Sequence, residues 1–149
     1  DYRCGYCRRA HPEVEALLAG DGNIRFILKE FPILGEQSDL ASRFAIAVQQ
    51  VHGADAYKDV HDALMMMETD VTEGSLIRLA EALALDPAPV LARMGAPEVT
   101  EVIQRNPNDP SAYNTRGAAY ARLGRFSEAI GDFNRAVQID ANYAPAYGN

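Results

Sequence analysis

The sequence predicts a mostly helical protein that begins with a short α/β piece and ends in a helix pair. Three observations predict it. From residue 38 onward apolar residues recur at helical spacing almost without a break. A single stretch, Ile24-Arg25-Phe26-Ile27-Leu28, alternates and then runs apolar, as a largely buried strand does. Turn-forming clusters at Gly20-Asp21-Gly22-Asn23 and Asn106-Pro107-Asn108-Asp109-Pro110 separate these regions.

Taken in order, the first helix follows Cys4-Gly5-Tyr6-Cys7 and places Val14, Leu17 and Leu18 on one face. Pro12 falls inside it and removes the bond to the Arg8 carbonyl, so a kink is expected. After the strand, Ser38 is a plausible N-cap for a helix burying Leu40, Ala41, Phe44, Ala45, Val48 and Val51. Tyr57, Val60, His61, Leu64 and Met65 make a second apolar stripe. Thr72 or a neighbour opens a third helix carrying Leu76, Ile77, Leu79, Ala80 and Leu83. Asp86-Pro87 reads as N-cap and first residue of a short helix ending at Gly95, and Pro97 opens another through Val99, Val102 and Ile103. Beyond the second turn cluster, two helices are expected to join at Gly124.

Composition narrows the function. The 149 residues suit one medium domain or two small ones. Fourteen basic against 21 acidic side chains give a net charge of −7, which argues against nucleic acid or an anionic membrane as partner. No apolar run approaches the ~20 residues of a membrane span. Residues 1–102 carry 9 basic and 17 acidic groups, whereas 103–149 carry 5 and 4, which suggests two parts of different origin. The chain starts at Asp1 with no leader, and a reactive-looking motif so near the start suggests that sequence is missing upstream.

Chemistry concentrates in Cys4-Gly5-Tyr6-Cys7. Two cysteines three apart at a loop-to-helix transition can close a small disulfide ring. Cys4 sits where the helix dipole and free N–H groups stabilise a thiolate, the species that attacks disulfides. Arg3, Arg8 and Arg9 add positive potential. Cys7, one turn in, would resolve the mixed disulfide. A zinc site or a purely structural disulfide are the competing readings. Zinc needs about four ligands, and His11, His52 and His61 are widely scattered, so no metal and no cofactor are expected. His11 reads as a surface histidine, His61 as a packed core histidine, and Met65-Met66-Met67 as core and helix-end filling.

Asp1 to Cys7, the helix after them, Arg25 to Gly35, and His61-Asp62-Ala63-Leu64-Met65 with the helices to Val102 together resemble the DsbA family of thioredoxin-like proteins. The fold class is then mostly α: a truncated thioredoxin-like α/β piece with a helical insertion over residues 1–102, followed by a tetratricopeptide helix pair over 103–149. The resemblance implies a bacterial, periplasmic or secreted thiol–disulfide oxidoreductase or isomerase acting on protein thiols and disulfides. It assigns Cys4 as nucleophile, Cys7 as resolving thiol, and Gly5 and Tyr6 as the dipeptide that tunes the potential. Two departures stand out. Only three residues precede Cys4, where the fold needs strands, and none of the eight prolines stands in the Thr-Pro or Val-Pro context that faces the cysteines in this family. A lone strand would also leave its backbone unpaired.

The tail resembles a tetratricopeptide repeat: Tyr113, Gly117, Tyr120, Ala129, Phe133 and Ala136 fall on the motif's small and aromatic positions, while Arg116 and Ala141 depart from it. Pro107-Asn108-Asp109 matches the end of a preceding repeat and Ala146-Tyr147 the start of a following one. The repeat implies a groove in which Asn114 and Arg122 could meet a peptide partner. Two functions therefore stand: thiol–disulfide exchange on proteins, and a non-enzymatic peptide-binding scaffold carrying an incomplete, redox-impaired remnant.

Overall fold

The backbone of Cys4 turns the chain into its first helix, α1 (Gly5–Gly20), in a computed structural model that describes residues 1–105, 110–122 and 124–141. Helix α1 continues through Pro12 and stops at Asp21. Then follow α2 (Glu36–His52), α3 (Ala54–Met66), α4 (Glu73–Ala82), α5 (Pro87–Met94), α6 (Pro97–Arg105), α7 (Pro110–Arg122) and α8 (Phe126–Ile139). The mostly α class is observed, and the chain divides into two compact units, Asp1–Ile103 and Gln104–Asn149. The turn cluster at Asn106–Asp109 and the repeat start at Ala146-Tyr147 lie outside the described residues.

Local chemistry explains most of the boundaries. Gly53 both ends α2 and precedes α3 at φ +92°, a backbone state that a side chain would strain. Thr72 Oγ1 accepts from Ser75 N–H while Ser75 Oγ accepts from Thr72 N–H, a reciprocal cap that starts α4. Asp86 caps α5 through Ala88 N–H, with Pro87 in the first turn as expected. Gly124, at φ +71°, makes the turn between α7 and α8.

Helix α2 is the centre of the first unit. It packs on α3 and on α5, while α4 touches α3 and α5. Ala41, Phe44, Ala45 and Val48 are fully buried and join Val60, Leu64, Leu76 and Val90 in one cluster. In the second unit α7 packs on α8. Gly117, Ala129 and Ala136 are buried there, and Phe126 is 65% exposed.

Four expectations need correction. Ser38 does not cap α2: the helix begins at Glu36 after Gly35, and Ser38 Oγ donates to Asp1 Oδ1 at 2.8 Å. The Ile24–Leu28 strand, the β element of the truncated α/β piece, does not form: among the described residues there is no strand, because no neighbour is present to pair its N–H and C=O groups. Ile24, Phe26 and Ile27 are consequently exposed and only Leu28 packs on the core. Leu17 is 59% exposed because α1 meets α3 through its polar face. Val51, at 37% exposed, lies at the edge of its stripe.

Candidate active site

The redox pair is built by one turn of helix. Cys4 is the N-cap of α1, and its Sγ accepts from Cys7 N–H at 3.3 Å. Both cysteines are half-buried thiols. The hydrogen bond from the Cys7 thiol, joined by the backbone N–H groups of Cys7 and Tyr6, brings Cys4 down to about 5, against an opposing effect of burial. The same thiol–thiol bond, with burial, pushes Cys7 far up. The two sulfurs thus differ in proton affinity because Cys4 accepts the Cys7 thiol proton and, beyond it, the helix's first N–H groups, whereas Cys7 is the donor. Gly5 is the first residue of α1, and Tyr6 is 43% exposed with the Arg9 guanidinium 4.5 Å above its ring.

Arginines on either side fix this turn in place. Arg8 donates through Nε to the Met65 carbonyl at 2.9 Å and through a guanidinium nitrogen to the Met67 carbonyl. Arg3 reaches the Thr69 carbonyl at 3.1 Å and lies 3.6 Å from Asp70. Their positive charge is therefore directed largely at the last turn of α3 and the segment that follows it. Met65 and Met67 pack against the core, and Met66 is 64% exposed. Asp1 ties the loop down: its carboxylate accepts from the N–H groups of Ile33 and Leu34 and from Ser38.

Beside the cysteine turn lies a buried polar network that the sequence analysis does not foresee. Glu30 is 6% exposed and accepts from Tyr2 Oη at 2.5 Å, Ser42 Oγ at 2.7 Å and Tyr57 Oη at 2.8 Å. Burial raises its carboxyl above the usual range, and the three hydroxyls pull it back. Burial, then the Glu30 charge, raises both tyrosines. Tyr2 Oη also lies 3.2 Å from His61 Nδ1, and burial lowers the His61 imidazole to about 4. His61 is the core histidine its stripe implies.

His11 is not the surface residue expected: it is 8% exposed, its ring meets the His61 ring edge-on at 5.4 Å, and its Nε2 lies 3.3 Å from Asp62 Oδ1. The helical spacing His11–Glu15 and Lys58–Asp62 is the signal that placed these groups on facing sides of α1 and α3. Asn114 is half-buried and Arg122 exposed on α7.

Residues 1–119 match the DSBA-like thioredoxin domain, and the chain belongs to that family. Residues 110–143 match the tetratricopeptide repeat. Among solved structures, the chain is 39% identical to a thioredoxin-like oxidoreductase from Silicibacter pomeroyi DSS-3, with a TM-score of 0.65, covering 83% of this chain and 64% of that one. It is 25% identical to the thiol-disulfide exchange protein alpha-DsbA2 from Wolbachia pipientis, with a TM-score of 0.65, covering 70% and 56%. Over 48 residues it is 40% identical to Hsp70-Hsp90 organizing protein 2 of Arabidopsis thaliana, which is 32% of this chain and 8% of that protein. The chain spans less than two thirds of each of these proteins.

Proposed function

We propose that the chain exchanges thiols and disulfides with protein substrates through Cys4 and Cys7. The observation that carries this reading is the Cys4 sulfur capping α1, with its thiol brought down to about 5. At neutral pH Cys4 is then a thiolate. It attacks one sulfur of a substrate disulfide, forms a mixed disulfide and expels the other substrate sulfur as a thiolate. Cys7 gives up its proton and attacks Cys4 Sγ, which releases the second substrate thiolate and closes the Cys4–Cys7 disulfide. Two electrons pass from the Cys pair to the substrate, and the reverse sequence oxidises a substrate dithiol.

The direction follows from the thiolate. Stabilising it stabilises the reduced form and makes the disulfide a better oxidant. A value of about 5 lies between the ~7 of thioredoxin and the ~3.5 of DsbA, which supports a moderate oxidant or isomerase. Such chemistry belongs to an oxidising, periplasmic or secreted compartment. Gly5 and Tyr6 would tune the potential by setting how the turn presents its N–H groups.

The α7–α8 pair, matching a tetratricopeptide repeat, supports a protein-interaction module, with Asn114 and Arg122 as proposed peptide contacts. That match also supports the second reading, a scaffold without redox turnover. Cysteine variants separate the two. Cys7→Ser should trap a mixed disulfide with a disulfide-bearing protein through Cys4, and Cys4→Ser should not. An adduct on Cys7 alone would overturn the roles, and no adduct from either variant would favour the scaffold.

A further inference from the structure

We propose that His11 and His61, with Asp62 at the rim, form a site for a divalent transition-metal ion of the zinc or copper kind, apart from the cysteine pair. Each of the three offers one ligand atom, and these atoms lie within 4.8 Å of one another. His11 comes from α1 and the other two from α3, so helix packing itself assembles the set. The histidines are 8% and 6% exposed, whereas the Asp62 side chain is 37% exposed and opens the site to solvent. Two imidazoles and one carboxylate, with a position left for water, make a donor set that suits zinc or copper better than magnesium or calcium.

Outer partners fit this reading. Tyr2 Oη spends its proton on Glu30, so its oxygen accepts from His61 Nδ1–H. That hydrogen bond fixes the tautomer and leaves Nε2 with a lone pair, the arrangement in which a carboxylate-backed acceptor orients a metal-binding imidazole. A second observation is independent of the histidines. Glu15 stands one turn beyond His11 on α1, and its Oε1 is a buried oxygen with no hydrogen-bond partner. Lys58 bridges Glu15 Oε2 at 2.9 Å and Asp62 at 2.6 Å, but one ammonium faces two carboxylates. A bound cation carrying water would supply both the missing positive charge and a donor for Oε1.

Binding must be tested without the thiols, since a dithiol chelates the same ions. The full chain carrying Cys4→Ser and Cys7→Ser is titrated with zinc against a chromogenic chelator, and with cobalt(II) as a spectroscopic probe. The expected result is one ion per chain and a visible cobalt spectrum without sulfur-to-metal charge transfer. Adding His11→Gln or Asp62→Asn should weaken zinc binding by ~100-fold or more, and Tyr2→Phe by ~10–100-fold, the usual effect of losing an outer partner. Asp62 is at the surface, so Asp62→Asn carries the test if a histidine variant fails to fold by circular dichroism. Metal binding that vanishes with the cysteines, or that persists unchanged in Asp62→Asn, overturns the site. The redox reading is unaffected by either result, because it is read from substrate adducts.

Discussion

One turn of helix makes the two cysteines unequal. Cys4 Sγ receives the N–H of Cys7 and the Cys7 thiol proton, so the thiolate is held at Cys4. Alkylation by iodoacetamide should therefore follow a titration near pH 5 at Cys4, with Cys7 unlabelled until strongly alkaline pH; equal labelling at pH 6 would overturn the assignment. The sign for stability follows. A thiol depressed from about 9 to about 5 stabilises the reduced fold in full above pH 9 and progressively less as pH falls towards 5. Reduced protein should thus lose thermal stability relative to the disulfide form across that window. Glu30 gives a second test. Glu30→Leu leaves the hydroxyls of Tyr2, Ser42 and Tyr57 without their acceptor, each at a cost of about 1–3 kcal/mol, so urea unfolding should fall by several kcal/mol. Glu30→Gln keeps an acceptor and should lose much less. The placement of the two cysteines at the start of α1 was legible because it is set within four residues. Glu30 was not, because its partners stand 28, 12 and 27 residues away and nothing local marks an acid as buried.

Helices were legible wherever their ends carried their own signals. Thr72 and Asp86-Pro87 start helices where expected, because a cap is a property of a few adjacent residues. Ser38 misled because the chain enters α2 earlier, after Gly35, so that Ser38 falls inside the first turn and its hydroxyl donates to Asp1, a contact 37 residues long. The strand at Ile24–Leu28 misled in another way: alternation records a preference for a sheet and not the presence of its neighbours. His11 misled because periodicity on α1 pointed to Val14, Leu17 and Leu18, while the helix meets α3 with His11 and Glu15. In the repeat, small residues report close approach. A Cβ on Gly117 would stand 2.7 Å from one ring carbon of Phe133 and 3.2 Å from the Ala129 carbonyl. Gly117→Ala gains about 1 kcal/mol of helix propensity and should lose about 1–3 kcal/mol to overpacking between α7 and α8. Faster amide exchange in α8 would confirm it; slower exchange would show that Phe133 swings aside freely.

At the scale of the whole chain, reactivity and turnover should come apart. The thiolate at Cys4 depends on the first turn of α1 and on the arginine bonds that hold it against α3, all of which the chain supplies. Turnover of a protein substrate also needs a surface that presents the substrate disulfide in line with Cys4. The sheet that frames the cysteines in a thioredoxin-like fold is represented here by an unpaired segment whose Ile24, Phe26 and Ile27 are exposed. None of the eight prolines stands in the context that faces the cysteines in the DsbA family. A displacement of about 1 Å from the attacking geometry can cost ~100-fold in rate. The chain should therefore react with a small disulfide at the rate its thiolate dictates, yet reduce insulin about 100-fold more slowly than a full-length relative assayed beside it. Stopped-flow reduction of a small aromatic disulfide and insulin turbidity, run on one preparation, measure both. If the chain matches the relative on insulin, presentation of substrate is already complete within these 149 residues, and the helical block must provide it.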